Sequence, residues 1–221
     1  EIEDKSKLTL QTPQSFKNRF GIDVRVRHEA QEIDVQRKLV RVKNLETGEV
    51  EELPYDKLVL SPGARPSRPN LPGVEDEAVL TLRTVEDTFH IREFVERRAP
   101  KSAVVVGGGF IGLEIAENLM AKGLNVTVVD MADQLMPNIF DAEVADYVRR
   151  KLQGKGMRVR TGTALKGIVG TEKATGVDTS AGLLPADVVV LAIGIRPATG
   201  FLAESGLEMV KGTIVVDDHQ R

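Results

Sequence analysis

Hydrophobic and polar residues follow two different periods along this chain, and their order predicts alternating strands and helices. Residues 103–106 are continuously apolar and mostly β-branched, which is typical of a strand covered on both faces. Beyond them, four apolar residues recur at helical spacing: Ile111, Ile115, Leu119 and Met120. A second run, apolar except for Thr127, covers 126–129. The pattern therefore predicts a strand–turn–helix–strand unit of an α/β fold.

The flanking sequence predicts further elements of the same kind. Three helices have clear N-caps, Thr12 (before Pro13), Thr84 and Asp141, and are expected to end near Gly21, Arg98 and Leu152. Further strands are predicted over 22–26, 36–43, 50–53, 57–60, 157–160, 186–193 and 212–217, with a hairpin turn at 46–49 and a hairpin-like excursion over 165–179. This alternation indicates a Rossmann-like, doubly wound parallel sheet.

A glycine-rich run, GGGFIGLE at 107–114, lies at the turn between the predicted strand and helix. Gly107 permits a tight turn, Gly109 lets a pyrophosphate approach the backbone, and Gly112 allows close packing of helix on strand. The start of the helix directs free N–H groups and its positive dipole end toward the phosphates. The context predicts a dinucleotide site, and the alternative is a turn without a ligand.

Asp130 follows the second strand, about twenty residues beyond the turn, where a carboxylate can accept hydrogen bonds from a ribose 2′-hydroxyl. It would repel a 2′-phosphate, and Met131 and Ala132 supply no positive charge to receive one. The sequence therefore favours NADH over NADPH. The alternative is that Asp130 only ends a strand and caps a turn.

Composition narrows the classes of protein that the chain can represent. The 221 residues carry a net charge of −3, which gives no electrostatic reason to expect a nucleic-acid partner. Cysteine is absent and only three histidines occur, so neither a thiolate chemistry nor a metal site is expected. No apolar run is long enough for a membrane span, and a cytoplasmic location is expected.

Two segments repeat one pattern, Gly-x-Arg-Pro after an apolar run, at 63–66 and 194–197. They lie on either side of the dinucleotide-binding unit. We interpret them as the points where the chain enters and leaves an inserted domain. The alternative is that both are simple turns at the ends of strands.

With these motifs, the chain resembles the FAD-dependent pyridine nucleotide-disulfide oxidoreductase family over nearly its whole length, 12–217. The most specific features are the run at 107–114, Asp130, TGT at 161–163 and the two Gly-x-Arg-Pro segments. Within the family it is most similar to NADH oxidases and coenzyme A-disulfide reductases. Those enzymes have an FAD domain, an NAD domain inserted into it and a dimerisation domain.

The resemblance implies a partial FAD-binding domain over 1–98, an NAD(H)-binding domain over 99–206 and a return to the FAD domain over 207–221. The family's own FAD glycine motif, redox cysteine and dimerisation domain have no counterpart in this sequence. We therefore interpret the chain as a fragment that is inactive alone, from an enzyme that is a homodimer at full length.

The resemblance also assigns cofactor binding to nine residues: Gly107, Gly108, Gly109, Phe110, Ile111, Gly112, Glu114, Asp130 and Gly194. Ile111 would give a backbone contact, and Gly194 a backbone approach on the nicotinamide side. Glu114 would face the nicotinamide ribose and amide, although it could instead complement the helix dipole. Phe110 stands where many members carry a gating tyrosine, and its alternative is a core residue. No catalytic residue is assigned.

The implied activity is hydride transfer from NADH to FAD, and then to a disulfide or oxygen acceptor. Fold does not decide between acceptors. One alternative is a ferredoxin- or rubredoxin-type reductase, which needs no redox cysteine. Another is a non-catalytic NAD(H)-binding module.

Overall fold

The computed structural model describes residues 8, 10–170 and 176–221. The helices are α1 (Pro13–Phe20), α2 (Val85–Arg98), α3 (Phe110–Ala121) and α4 (Ala142–Gly154), with a short 3-10 helix over Gly200–Leu202. The strands are β1 (His28–Asp34), β2 (Leu39–Asn44), β3 (Val50–Pro54), β4 (Ala64–Pro66), β5 (Val79–Thr81), β6 (Ser102–Val106), β7 (Asn125–Val129), β8 (Arg158–Arg160), β9 (Leu165–Val169), β10 (Gly176–Thr179), β11 (Gly182–Pro185), β12 (Val188–Leu191), β13 (Ile195–Pro197), β14 (Met209–Val210) and β15 (Thr213–Ile214).

The chain forms two compact units. Unit 1 contains Glu1–Arg65 and Arg196–Arg221, and unit 2 contains Pro66–Ile195. The chain therefore passes from one unit to the other within the two Gly-x-Arg-Pro segments, as their repetition predicts.

Unit 2 is built on a five-stranded parallel sheet in the described part of the chain, with the order β5-β12-β6-β7-β8. From β6 the chain moves outward through β7 to β8 and later returns to β12 on the other side of β6. This reversal of direction is that of a doubly wound fold and confirms the predicted fold class.

Burial explains why the central strands are so rich in valine. Val104, Val105, Val128 and Val190 are fully buried. Parallel strands are covered on both faces, so they favour continuous β-branched runs over alternating ones. From α3, the side chains of Leu113, Ala116 and Leu119 are buried, and those of Leu113 and Leu119 help to form the same hydrophobic core.

A small antiparallel sheet, β11-β10-β9, completes unit 2. In it Val177 lies opposite Ile168, and both side chains are buried. These strands confirm the predicted excursion over 165–179, apart from 171–175, which lie outside the described residues.

Unit 1 contains an antiparallel sheet, β1-β2-β3, and the pair β14-β15. The predicted hairpin turn at 46–49 joins β2 to β3, with Gly48 at φ +79° and its N–H donating to the carbonyl of Asn44 at 2.8 Å. The predicted N-caps are also confirmed, since Thr12, Thr84 and Asp141 each accept a backbone N–H bond.

Two predicted strands are wrong. Residues 22–26 and 57–60, all within the described part of the chain, form no strand. Ile22, Val24 and Val26 alternate correctly, yet their side chains stay exposed, because a strand also needs a neighbour for its backbone. In the described part of the chain the first strand is instead β1, and its largely polar sequence gives no strand signal. At the other end, the strand predicted over 212–217 is only β15.

The units are divided at 65/66 and 195/196, whereas the sequence placed boundaries at 98/99 and 206/207. The first boundary differs because β5, at 79–81, pairs in parallel with β12 and so belongs to unit 2. Which ligand each unit binds stays a prediction. In the ranges that the structure describes, no helix combines the length and the apolar character needed to cross a bilayer.

Candidate functional site

The nine predicted site residues all lie in unit 2, at the carboxyl ends of its central strands. The glycine run follows β6, Asp130 follows β7, and Gly194 lies beyond β12. The strand order reverses between β6 and β12. In α/β sheets, ligands bind at such a reversal, in the crevice outside the carboxyl ends of the strands. The structure thus brings together residues that are up to 87 positions apart, from 107 to 194.

Two of the glycines are required by close backbone packing. Gly107 has φ +110°, and a Cβ atom there would lie 2.3 Å from the carbonyl oxygen of Ala192. A Cβ at Gly112 would lie 1.9 Å from the carbonyl oxygen of Gly107. Real Cβ atoms do not approach oxygen so closely, so both positions admit only glycine without rearrangement. The tight turn and the close helix packing expected of these positions are present.

Gly109 differs from its neighbours because its missing side chain faces open space. A Cβ at Gly109 would meet no atom of the described residues within 4 Å. Gly109 is also the N-cap of α3, and its carbonyl accepts the N–H of Leu113 at 2.9 Å. The earlier amides of the first turn, at 110–112, have no acceptor within the helix. An anion could therefore reach these amides past Gly109.

The carboxylate of Asp130 accepts two backbone hydrogen bonds. Oδ2 accepts the N–H of Gly108 at 2.6 Å, and Oδ1 accepts the N–H of Ala132 at 2.8 Å. Asp130 thus does cap a turn, as the alternative interpretation supposed. A carboxylate has about four lone-pair sites, however, so two bonds leave capacity for ribose hydroxyls.

Phe110 and Ile111 open α3 with exposed side chains, 62% and 50% accessible. The interpretation of Phe110 as a core residue is therefore wrong. The helical spacing also predicts that Ile111 lies on the buried face of α3, but its side chain is exposed. The buried residues of α3 are Gly112, Leu113, Ala116 and Leu119.

Glu114 is the fifth residue of α3 and its side chain is exposed. The dipole interpretation needs an acid in the first helical turn, where the effect is strongest, and that turn of α3 has none. Gly194 adopts φ +96°, and a Cβ there would meet no described atom within 4 Å. Its carbonyl accepts the N–H of Ser67 at 2.9 Å.

Leu135 is a site neighbour that the sequence did not single out. It lies in the irregular segment after β7 and is only 1% exposed. A Cβ at Gly108 would lie 2.5 Å from its Cδ2 atom. An isolated leucine in a loop carries no periodic signal, so only the structure reveals this contact.

Comparison with known proteins identifies the family of the chain. The family model described as pyridine nucleotide-disulphide oxidoreductase matches residues 2–221. An NADH oxidase from Methanocaldococcus jannaschii is 35% identical over 212 residues, which are 96% of this chain and 47% of that protein. A coenzyme A disulfide reductase from Staphylococcus aureus is 32% identical over 219 residues, 98% of this chain and 48% of that protein.

A solved structure of an NAD-dependent persulfide reductase from A. fulgidus shares 38% identity with a TM-score of 0.92, and the match covers 100% of this chain and 41% of that one. The chain spans about half the length of the curated relatives it matches. The chain belongs to the pyridine nucleotide-disulphide oxidoreductase family.

Proposed function

We propose that unit 2 binds NADH and that the whole protein is a flavin-dependent oxidoreductase that passes hydride from NADH to FAD. The observation that carries the proposal is the open side of Gly109 beside the first-turn amides of α3. At the other two glycines of the GxGxxG pattern, Gly107 and Gly112, an added Cβ would collide with the backbone, whereas at Gly109 it would enter open space.

The chemistry of the surrounding groups fits a dinucleotide. The amides at 110–112 and the dipole of α3 suit a pyrophosphate, because both offer positive partial charge without a side chain. Asp130 suits a ribose with a free 2′-hydroxyl, since its carboxylate keeps unused lone pairs. We assign Glu114 and Gly194 to the nicotinamide end, and Phe110 to the position of the gating aromatic ring.

When both cofactors are bound, nicotinamide supplies the hydride and the flavin carries the electrons onward. The role of this chain is to hold the dinucleotide by its phosphates and its ribose. Binding energy at these remote groups orients the reactive end. Phe110 begins the same helix with an exposed ring, and in the gating role that we assign to it the ring would cover that end from water.

We assign FAD to unit 1. Within that unit a cleft of about 770 Å³ is lined in part by Glu29, Arg65 and Phe201. A guanidinium can pair with a phosphate and an aromatic ring can cover a flat cofactor, so the lining is compatible with FAD.

We propose a disulfide or oxygen as the acceptor. The relatives named above include an oxidase, a disulfide reductase and a persulfide reductase. A homodimer in the cytoplasm stays our expectation for the whole protein.

A calorimetric titration of this chain with NADH tests the proposal. Gly109→Ala should weaken binding at least about tenfold, because the new methyl group enters the space open to the pyrophosphate. Gly154→Ala is the matched control, since Gly154 in α4 also has open space around an added Cβ. It should leave the Kd within about twofold. Saturable binding that Gly109→Ala does not change would contradict this placement, and no binding would contradict the proposal.

A further inference from the structure

We propose that Leu135 is a positioning residue for the dinucleotide site, because it holds Gly108 against the carboxylate of Asp130. This inference rests on the proposed binding of NADH by unit 2. It adds a residue outside the glycine motif to the machinery that sets affinity for the dinucleotide.

The hydrogen bond from Gly108 to Asp130 joins the two halves of the site. The N–H of Gly108 lies in the phosphate-binding turn, and the accepting Oδ2 belongs to the ribose-binding residue, at 2.6 Å. The backbone of Asp130 is itself fixed, since its N–H donates to the carbonyl of Arg160 at 2.9 Å and its carbonyl accepts the N–H of Thr163 at 2.8 Å. A movement of the turn therefore changes the position of the carboxylate relative to the phosphates.

Leu135 fills the space beside this bond. A Cβ at Gly108 would lie 2.5 Å from Leu135 Cδ2 and 3.2 Å from Asp130 Oδ2. The leucine methyl and the carboxylate thus lie on the same side of Gly108. At the neighbouring residue of the turn, Gly107, the carbonyl of Ala192 packs against the backbone. The turn is thus held by contacts at two successive residues.

The segment that carries Leu135 is itself anchored. Near its beginning, the carbonyl of Ala132 accepts the N–H of Gly162 at 2.8 Å. Near its end, Nε2 of Gln134 donates to the carbonyl of Phe140 at 2.8 Å. With the side chain only 1% exposed, Leu135 has little freedom to withdraw from Gly108.

The consequence is a site that is ordered before the dinucleotide arrives. A turn that is already held in one conformation loses less entropy on binding, so affinity is higher. Shortening Leu135 should weaken NADH binding even though Leu135 offers no polar group to the ligand.

A double-mutant cycle on this chain tests the inference, with the Kd for NADH measured for the wild type, Gly108→Ala, Leu135→Ala and the combination. Leu135→Ala should weaken binding about three- to tenfold, and Gly108→Ala by more than about tenfold, because its methyl meets the leucine. The combination should bind more tightly than Gly108→Ala alone, since the removed leucine methyl leaves room. Leu135→Met, which keeps the volume, should stay within about twofold of wild type.

A second readout separates positioning from a loss of stability. In the NADH-free chain, Leu135→Ala should speed amide hydrogen exchange at Gly108 while the amides of 103–106 keep their rates. General destabilisation would speed both. Unchanged exchange at Gly108, or effects that simply multiply in the cycle, would overturn the role of Leu135. If the wild-type chain does not bind NADH, the proposed function fails instead, and the exchange experiment still reports on the contact.

Discussion

A Cβ atom at Gly112 would lie 1.9 Å from the carbonyl oxygen of Gly107, so the first turn of α3 rests directly on the backbone of the glycine turn. Three residues earlier, Gly109 has open space on the corresponding side. The pattern GxGxxG therefore contains glycines of two kinds, one required by the fold and one available to a ligand.

Stability measurements should separate these two kinds of glycine. Gly112→Ala should lower the free energy of unfolding by about 2 kcal/mol or more, because backbone must move to admit the methyl group. Gly109→Ala should leave it within about 1 kcal/mol, since φ −81° suits alanine and nothing is displaced. Urea unfolding monitored by circular dichroism would check this. Equal losses in the two variants would contradict the assignment.

Cofactor preference should depend on Asp130. Combining Asp130→Ala with Met131→Arg should raise the ratio of NADPH to NADH affinity about 10- to 100-fold. The first change removes a carboxylate that repels the 2′-phosphate, and the second adds a guanidinium that can pair with it. Met131→Arg alone is the control, since it adds the charge but keeps the carboxylate. Competitive binding measurements would give the ratio, and an unchanged ratio in the double variant would show that Asp130 does not face the ribose.

Glu114→Gln should weaken the binding of NADH about two- to tenfold and leave the binding of ADP-ribose unchanged, if Glu114 contacts the nicotinamide end. Glu117→Gln is a control on the same helix, where the carboxylate bonds Lys155 Nζ at 2.7 Å. It should alter neither ligand. Equal weakening of NADH and ADP-ribose by Glu114→Gln would place Glu114 away from the nicotinamide.

Neighbouring apolar residues of α3 should differ in their contribution to stability. Phe110→Ala should change the free energy of unfolding by no more than about 0.5 kcal/mol, because the ring is exposed. Leu113→Ala should cost about 2–5 kcal/mol, because its side chain is buried in the sheet core. Thermal unfolding of the two variants side by side would measure this. A large loss for Phe110→Ala would mean that its ring is packed in solution.

The elements around the site were predictable because their signals are local. A valine run, a glycine turn and a helical period fall within 103–130, and capped helices carry their own N-terminal residues. A strand was wrongly predicted over 22–26, and the polar strand β1 was not predicted. The reason is that backbone pairing, rather than alternation alone, decides which segment forms a strand.

The boundary of unit 2 and the contact of Leu135 with Gly108 depend on pairs far apart in sequence. The pairing of β5 with β12 links residues 79–81 to 189–191, and no local period announces it. Leu135 lies 27 positions from Gly108 in an irregular segment. The fold class and the proposed ligand-binding groups follow from local patterns, whereas the residues that support those groups are revealed only by the tertiary structure.

A side-by-side titration of this chain with NADH and NADPH, followed by nicotinamide fluorescence, is the most direct test of our proposal that unit 2 holds a preformed site for NADH. We expect saturable binding of NADH and at least about tenfold weaker binding of NADPH, because the carboxylate that we assign to the ribose hydroxyl, Asp130, would repel a 2′-phosphate. Equal affinity for the two dinucleotides, or binding of neither, would contradict it.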